Sequence, residues 1–331
     1  MDPAAPTQSQ GETPATKLPL GTEHRNDGIC RILSLDGGGA KGFYTLGVLK
    51  EIEGLLNCPL YKRFDLVFGT STGSIIAALI ALGHSVDGIC SLYKTHVPTI
   101  MSRWTASGRS EALSTLAVEV FGKAKFEDVK TGIGIVATKW DIERPMIFKA
   151  SVEQAHGSRG TFQPGFGVPI ADAVEASCSA YPFFKKKSIT TGDGTSMLLV
   201  DGGFCANNPA LYALADAVRA LGKAPGEIRL VTVGVGEYPS PKKWSPLSLV
   251  AGWSPAVRLL QKVLEFNTQS LDQLRAVLFK DIPTVRINDA FTKPEMATDL
   301  MEKDQKKLDL LYHRGRESFR TREEDLKRFL L

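Results

Sequence analysis

A strand, a glycine-containing turn and a helix follow one another twice in the first third of the chain. The first unit is CRILSLD (30–36), GGGAKG (37–42) and FYTLGVLKEIEGLL (43–56), and the second is RFDLVFG (63–69) followed by SIIAALIALG (74–83). A short apolar run that leads directly into a helical repeat is typical of parallel α/β units. The chain is therefore predicted to build a sheet on which helices pack.

Further strands and helices alternate along the rest of the chain. Strands are predicted at 132–139, 144–150, 196–201, 228–235 and 284–288, and helices at 86–97, 110–121, 168–179, 209–221, 256–278 and 295–326, so that the region from about 256 to 331 is mainly helical. This order favours an α/β fold with a central, mostly parallel sheet flanked by helices.

The domain organisation follows from composition. Residues 1–28 are rich in Pro, Thr, Gln and Gly and lack the basic start and apolar core of a signal peptide, so we expect a disordered tail. No composition break marks a second domain, and residues 29–331 are predicted to form one domain. Within it, the segment 239–255 carries Pro, Trp244 and Trp253, and its length predicts a lid or a surface-contact loop.

Net charge and cysteine spacing argue against nucleic-acid binding and against a metal site. A formal net charge of +4 over 331 residues is too weak to indicate DNA or RNA, but it is compatible with an anionic lipid surface. The five cysteines show no CxxC pair or metal-ligand spacing, which predicts no metal site and a reduced, cytoplasmic compartment. The longest nearly uncharged stretch, VFGTSTGSIIAALIALG, is too interrupted for a membrane span.

The second turn, GTSTG (69–73), fits the pattern G-x-S-x-G through Gly69, Ser71 and Gly73. A serine at a sharp strand-to-helix turn projects its hydroxyl from the sheet, and glycines on either side avoid collisions there. The helix that follows adds amides and a positive dipole end that favour an oxyanion. Ser71 is therefore predicted to be a nucleophile, the alternative being a structural turn.

A candidate acid, Asp201, ends a predicted strand and is followed by Gly202 and Gly203. At the carboxyl end of its strand it would share a sheet edge with Ser71, although a turn or helix-capping role is the alternative. Only His313 follows Asp201 as a triad histidine, and it lies in a charged helix typical of a surface. In a dyad, Asp201 would need a dry pocket, because an Asp with its ordinary pKa of about 3.9 is a weak base.

The first turn has two interpretations. Gly37, Gly39 and Gly42 fit G-x-G-x-x-G between a strand and a helix, the fingerprint of a dinucleotide-binding oxidoreductase. The acids that stand at a suitable distance for the ribose are Glu51, Glu53 and Asp65. Alternatively, the amides of the three consecutive glycines form an oxyanion hole for a carbonyl attacked by Ser71. The loop residues by themselves leave both interpretations open.

The segment AYPFFKKK (180–187) is a candidate for membrane contact. Phe183 and Phe184 could enter the acyl boundary while Lys185, Lys186 and Lys187 meet anionic head groups. The alternative, which the pattern slightly favours, is a pair of core aromatics followed by a solvated turn. Trp244 and Trp253 leave the same two interpretations open.

With these motifs together, the sequence resembles the patatin-like phospholipases, which are lipid acyl hydrolases with a Ser-Asp dyad. DGGGAKG (36–42), GTSTG (69–73) and DGG (201–203) match the family's D-G-G-G-x-[RK]-G, its nucleophile turn and its D-G-[GA]. ASCSAYPFF (176–184) and NNPA (207–210) are softer matches. Order and spacing agree from about residue 30 to residue 236.

The resemblance implies a three-layer fold and a set of roles. Ser71 would be the nucleophile, Asp201 its base, and the amides of Gly37, Gly38 and Gly39 the oxyanion hole. The supporting motif residues would be Lys41, Gly42, Gly69, Gly73, Gly202 and Gly203, with Lys41 facing either a lipid phosphate or solvent. The implied reaction cleaves ester-linked fatty acids from membrane phospholipids, at a membrane surface with peripheral contact and without a metal or cofactor.

The chain is also similar to the cyclic-oligonucleotide-activated patatin-like phospholipases of bacterial anti-phage signalling. Its compact size and the Arg-rich helix YHRGRESFRTREEDLKRF (312–329) prompt this comparison. It implies activation by a cyclic di- or trinucleotide in an anti-phage effector, and an oligomer is compatible with it. A lysophospholipase or lipid esterase without nucleotide control and a G-x-G-x-x-G oxidoreductase stay as alternatives.

Overall fold

One mixed sheet forms the centre of the computed structural model, which describes residues 27–157, 159–239 and 255–331. Its strands in the described residues are β1 Cys30–Leu35, β2 Leu66–Thr70, β3 Gly132–Lys139, β4 Arg144–Lys149, β5 Lys187–Thr190, β6 Ser196–Asp201, β7 Ile228–Val233 and β8 Thr284–Ile287. They lie in the order β5–β6–β3–β2–β1–β7–β8, with β4 paired to β3. The pairs from β3 through β2, β1 and β7 to β8 are parallel, whereas β4, β5 and β6 pair antiparallel.

Helices cover both faces of the sheet. Those described are α1 Gly42–Leu56, α2 Thr72–Leu82, α3 Val86–Met101, α4 Ala106–Phe121, α5 Ile170–Ser177, α6 Gly203–Ala206, α7 Ala210–Ala215, α8 Pro255–Leu278, α9 Gln305–Arg320 and α10 Glu323–Leu330. In β1, Leu33 and Leu35 pack in the core that contains α1 and α2, whereas Cys30 and Ile32 pack in the one that contains α7. Alternate side chains of a strand point to opposite faces, so the sheet is the middle of three layers and the α/β prediction is confirmed.

The carboxyl end of β3 brings two other strands together. β4 pairs with residues 134–139 on one side of β3, while β2 pairs with 132–136 and β6 with 137–139 on the other side. β2 ends at Thr70 opposite Val136, and β6 ends at Asp201 opposite Ala137. β2 and β6 therefore meet end to end, because they run in opposite directions along one edge of β3. β6 thus carries Asp201 to this point as an antiparallel strand.

One prediction needs correction, and one strand was missed. The helix expected at 295–326 is two helices, α9 and α10, because Asp304 accepts from the amides of Lys306 and Lys307 at 2.9 and 3.2 Å and starts α9 there. The strand β5 was not predicted from the sequence. Only Ile189 of its four residues is buried, so no apolar run marks it.

Helices α1 and α9 touch through glycine. A Cβ atom on Gly47 would lie 2.0 Å from the carbonyl oxygen of Tyr312, and one on Gly315 would lie 2.0 Å from that of Tyr44. The two backbones are therefore in direct contact, with no side chain between them. Around this crossing, α9 buries the apolar residues Leu308, Leu311 and Phe319.

Some predictions concern residues outside the described ranges. Residues 1–26 of the tail predicted at 1–28 lie outside the described ranges. Most of the loop predicted at 239–255, including Trp244 and Trp253, also lies outside them. The division into a tail and one domain at 29–331 stays a prediction. Among the described residues, no helix combines the length with the apolar character that crossing a bilayer requires.

Candidate active site

Ser71 occupies a strained turn between β2 and α2. Its backbone has φ 53° and ψ −125°, a conformation that costs a non-glycine residue about 1–3 kcal/mol. The turn is too tight for side chains beside it, because a Cβ on Gly69 would lie 2.2 Å from the carbonyl oxygen of Gly73. A Cβ on Gly73 would in turn lie 2.3 Å from the carbonyl oxygen of Leu35. Both glycines are thus required for the turn that projects Ser71.

Polar contacts hold this turn in place. The amide of Ser71 donates to the hydroxyl of Ser177 at 2.9 Å, and Ser177 donates to the carbonyl of Val136 at 2.6 Å. The hydroxyl of Ser74 donates to the carbonyl of Ser71 at 2.7 Å. Hydrogen bonds that involve α2, β3 and the end of α5 therefore stabilise the strained conformation of Ser71.

Asp201 is buried beside Ser71. Its Oδ1 accepts from the amide of Gly203 at 2.7 Å, and both Asp201 and Ser71 line the same cavity. Burial raises the pKa of Asp201 from 3.8 to about 6, although the Gly203 amide and the nearby Ser71 hydroxyl act to lower it. The dry surroundings that a dyad needs are therefore present, and at neutral pH the group is an ionised carboxylate with increased basicity.

The histidine that a triad would need lies elsewhere. His313 is exposed on α9, and no histidine of the described residues lines the cavity at Ser71. A proton from Ser71 therefore has Asp201 as its acceptor in this arrangement.

The glycine loop presents some of its amides to the cavity at Ser71. The Gly37 amide donates to the carbonyl of Asn207 at 2.9 Å and is therefore occupied. Within the described ranges, the amides of Gly38 and Gly39 have no protein acceptor, and both residues line the cavity. Thr72 adds an amide at the N-terminus of α2. Of the amides expected in an oxyanion hole, those of Gly38 and Gly39 thus have no acceptor in the described residues, and Thr72 is a further candidate.

Neighbouring protein atoms lie close to each of the three glycines. A Cβ on Gly37 would lie 2.3 Å from Oδ1 of Asn207, and one on Gly38 would lie 2.6 Å from Val235. Gly39 has φ +57°, and its Cβ would lie 2.4 Å from the carbonyl oxygen of Leu300. Side chains are therefore excluded by neighbouring protein atoms as well as by a substrate that must reach the amides.

The other motif residues also sit at close approaches. A Cβ on Gly42 would lie 2.5 Å from Oγ1 of Thr72, one on Gly202 would lie 2.1 Å from the carbonyl oxygen of Val136, and one on Gly203 would lie 2.9 Å from Oδ1 of Asn207. Lys41 is buried and lines a second cavity, which does not contain Ser71. It therefore faces neither bulk solvent nor the nucleophile.

The dinucleotide-binding interpretation is not supported by the positions of its acids. Glu51 forms an ion pair with Arg316 on α9, and Glu53 accepts from the amide of Val86 at 3.0 Å. Asp65 precedes β2, so it lies at the end of the sheet opposite the glycine loop. None of the three is available for a ribose at that loop.

An apolar cavity of about 80 Å³ opens at Ser71. Besides the loop and the two polar residues, its walls come from α2, α3 and α4, with Ile75, Leu79, Val97, Ile100, Leu113 and Leu116 among them. Phe183 and Phe184 are buried and line the same cavity, so they lie in the core, which is the alternative that the sequence slightly favoured. A narrow apolar channel beside a nucleophile suits a fatty acyl chain.

The lysines after these aromatics do not form one free basic patch. Lys187 pairs with Asp172 and Glu175 at 2.9 and 2.6 Å. Lys186 lies over the ring of Trp140, with 3.9 Å from its ammonium nitrogen to the ring centroid. Membrane contact by this segment accordingly stays a prediction without support from these contacts.

Sequence reasoning missed the roles of Ser177 and Asn207. Asn207 donates through Nδ2 to the carbonyl of Gly37 at 3.1 Å and to the hydroxyl of Thr268 at 2.7 Å. It thereby ties the glycine loop to α8. Both residues fall within the softer motif matches, ASCSAYPFF and NNPA, which were the available signal.

Comparisons with known proteins show which family the chain belongs to. A family model described as patatin-like phospholipase matches residues 33–214, more than half of the chain. A cUMP-AMP-activated phospholipase of Escherichia coli is 64% identical over 310 residues, covering 94% of this chain and 97% of that protein. A cGAMP-activated phospholipase of Vibrio cholerae serotype O1 is 25% identical and covers 79% of this chain and 80% of that protein. The crystal structure of VipD from Legionella pneumophila aligns with a TM-score of 0.49 at 12% identity, over 91% of this chain and 67% of that one.

Proposed function

Because the chain belongs to the patatin-like phospholipase family, we propose that Ser71 and Asp201 form the dyad with which it releases fatty acids from membrane phospholipids. The observation that carries this proposal is that a serine in a strained turn and a buried carboxylate with a pKa of about 6 line one cavity. The apolar cavity beside them supports a lipid substrate.

The first half of the reaction forms an acyl-enzyme. The Ser71 oxygen attacks the ester carbonyl carbon while Asp201 accepts the hydroxyl proton. The carbonyl oxygen becomes an oxyanion, which the amides of Gly38, Gly39 and Thr72 stabilise. As the tetrahedral intermediate collapses, the ester C–O bond breaks and Asp201 returns the proton to the leaving lysolipid oxygen.

The second half regenerates the enzyme. Water attacks the acyl carbon of the Ser71 ester, and Asp201 accepts the proton that the water loses. The same amides stabilise the second oxyanion. Collapse then breaks the bond between the acyl carbon and the Ser71 oxygen, which recovers its proton from Asp201, and the fatty acid leaves.

We further propose that a cyclic dinucleotide activates the enzyme. The relatives described above are named for activation by cUMP-AMP and by cGAMP, and the first of them covers nearly the whole chain. An enzyme that degrades membrane lipid needs such control if its substrate is always present, so activity restricted to a signal is physically reasonable. The proposed place of action is the membrane surface, where the substrate lies.

One assay tests the reaction and its control together. Phospholipid vesicles are incubated with the wild type, Ser71→Ala or Asp201→Asn, each without nucleotide, with cyclic UMP-AMP or with cyclic GMP-AMP, and fatty-acid release is followed. We expect release by the wild type in the presence of one cyclic dinucleotide and none by either variant.

The outcomes separate the alternatives. Folded wild-type protein that releases no fatty acid under any of these conditions contradicts the hydrolase proposal. Release without nucleotide that does not change on addition supports instead a constitutive lipid esterase.

A further inference from the structure

A second cavity adjoins the glycine loop without containing Ser71 or Asp201. It has a volume of about 280 Å³ and lies between the loop, the segment after β7, helix α8 and Asn288 after β8. This volume is near the lower end of the range of about 300–1,000 Å³ typical of small-molecule sites. Four residues line both this cavity and the one at Ser71: Gly38, Asn207, Leu264 and Leu300.

Lys41 supplies an unpaired cation to this cavity. The side chain is only 8% exposed, and no hydrogen bond or ion pair joins its ammonium group to any residue that the structure describes. Burial lowers the pKa of Lys41, while the nearby carboxylates of Glu265, Asp299 and Glu237 act to raise it. A buried ammonium without a partner is costly, and a phosphate oxygen would supply the missing acceptor.

A second buried polar group in the cavity also lacks a partner in the described ranges. The hydroxyl of Tyr238 is buried and unbonded, while its ring stacks on Phe291 with 5.2 Å between ring centroids. On the α8 side, Phe266 lines the cavity and is 66% exposed, so one aromatic face is available to a flat ligand.

The remaining polar groups suit the edge of a nucleobase. Glu237 accepts from Gln269 at 2.6 Å and from Asn288 at 3.1 Å, which fixes its carboxylate in the wall of the cavity. A fixed carboxylate favours an N–H donor such as the exocyclic amine of adenine. Gln269 adds a carboxamide oxygen that can accept, while the Asn288 amide is held by Gly236 and Glu237.

The other charges on the cavity are already compensated. Glu265 pairs with Lys262 at 2.8 Å, and Asp36 forms two hydrogen bonds with Arg286 at 3.0 and 2.5 Å. Lys41 and Glu237 are therefore the charged groups left for a ligand, one suited to a phosphate and the other to a base.

We propose that this cavity binds the cyclic dinucleotide activator, with a phosphodiester on Lys41 and a base between Glu237 and the ring of Phe266. The identity of the ligand rests on the proposed function, whereas the site rests on the cavity itself. A phospholipid also carries a phosphodiester, but it offers no base for the carboxylate, the amides and the aromatic face.

The shared wall provides a route to the active site. A ligand held by Lys41 lies against Gly38 and Asn207, and Asn207 is bonded to the carbonyl of Gly37. The bound ligand therefore restrains the loop whose Gly38 and Gly39 amides face Ser71. Ordering these amides increases oxyanion stabilisation without adding a group to the catalytic cavity.

Calorimetric titration tests the site without turnover. Cyclic UMP-AMP is titrated into full-length Ser71→Ala protein, and then into the same protein with Lys41→Met, Phe266→Ala or the control Lys280→Met added. Loss of a charge-assisted hydrogen bond predicts Kd values about 10- to 100-fold weaker for Lys41→Met. Phe266→Ala should weaken binding by at least about fivefold. Lys280→Met, at an exposed position in the turn after α8, should leave the Kd unchanged.

The outcomes separate failure of the proposed binding site from failure of the proposed nucleotide activation. Tight binding that neither Lys41→Met nor Phe266→Ala weakens overturns the site and leaves activation intact. Failure of the Ser71→Ala protein to bind cyclic UMP-AMP or cyclic GMP-AMP, while the wild type still hydrolyses vesicles, overturns nucleotide control and the site with it. Should Lys41→Met not fold, as judged by circular dichroism, the exposed Phe266→Ala decides.

A lipid arm separates the two sources of phosphodiester. Glycerophosphoglycerol is titrated into the same proteins. If the protein binds this head group through Lys41 but does not bind cyclic UMP-AMP, the cavity is a lipid subsite and the assignment is overturned.

Discussion

Ser71 and Asp201 meet because the strands that carry them run toward each other along one edge of β3. β2 ends at Thr70 opposite Val136, and β6 ends at Asp201 opposite the next residue, Ala137. Backbone hydrogen bonds of the sheet therefore fix the distance between the proposed nucleophile and the proposed base. In a triad a third side chain orients the base, whereas here the Gly203 amide and the pairing of β6 with β3 hold it.

The raised pKa of Asp201 predicts the pH dependence of activity. Acylation needs the carboxylate, so kcat/KM should fall below the pKa of about 6 with a slope of one on a logarithmic scale. A soluble short-chain ester avoids pH effects on vesicles, and circular dichroism over the same range controls for unfolding. A half-maximum near pH 4 would show that the carboxyl group is not desolvated.

The same shift predicts that Asp201 lowers stability at neutral pH. Because its pKa is raised from 3.8 to about 6 on folding, the folded state binds more protons than the unfolded state between these values. The free energy of unfolding therefore decreases as pH rises through this window, by roughly 3 kcal/mol from this group.

Asp201→Asn should thus be inactive yet more stable than the wild type at pH 8. The difference should shrink toward pH 4, where the wild-type group is protonated in the folded state. Urea unfolding of both proteins at several pH values measures it. Equal stability at pH 8 would contradict the desolvated carboxylate.

Gly38→Ala should reduce kcat by about 10²–10³, the cost of losing one oxyanion donor. Its Cβ would lie 2.6 to 2.9 Å from three side-chain atoms of Val235, so the loop must move. Val235→Ala removes two of these atoms and should restore part of the lost kcat in the double variant. Val235→Ala alone serves as the control, and a double variant no better than Gly38→Ala would exclude loop displacement as the cause.

Gly315→Ala should lower stability by about 1–3 kcal/mol, the usual cost of overpacking. The new Cβ would meet the carbonyl oxygen of Tyr44 at 2.0 Å, and backbone at this distance cannot yield without moving α9 from α1. Gly54→Ala is the matched control, because a Cβ there meets nothing within 4 Å. Thermal unfolding distinguishes them, and a similar Tm for both variants would argue against the close crossing.

Much of the sheet could be predicted from local pattern. The strands at 132–139 and 196–201 have the bounds expected, because each is an uninterrupted run between turn residues. β5 and the start of α9 could not be predicted, since the first is a half-exposed polar strand and the second depends on a capping aspartate within a charged region. Where an element is only partly buried, the periodicity of its apolar residues is too weak to predict the element or its bounds.

The candidate site was predictable in its residue types and less so in its detail. The spacing of GTSTG and DGG indicates Ser71 and Asp201, and the structure brings them together. That the Gly37 amide is occupied could not be predicted, because its acceptor is the carbonyl of Asn207, a residue 170 positions away. Desolvation of Asp201 likewise depends on the packing of several separate elements.

The wall of Gly38 and Asn207 between the two cavities has a thermodynamic consequence. Under the proposed activation, the coupling between the two sites is reciprocal. A cyclic dinucleotide would increase the affinity of the protein for a transition-state analogue at Ser71 by a certain factor, and that analogue must increase the affinity for the dinucleotide by the same factor. Lipid bound at the catalytic cavity then acts as a co-ligand for the activator. An enzyme engaged with a bilayer would retain its signal longer than one free in solution, and activation would persist where substrate is present.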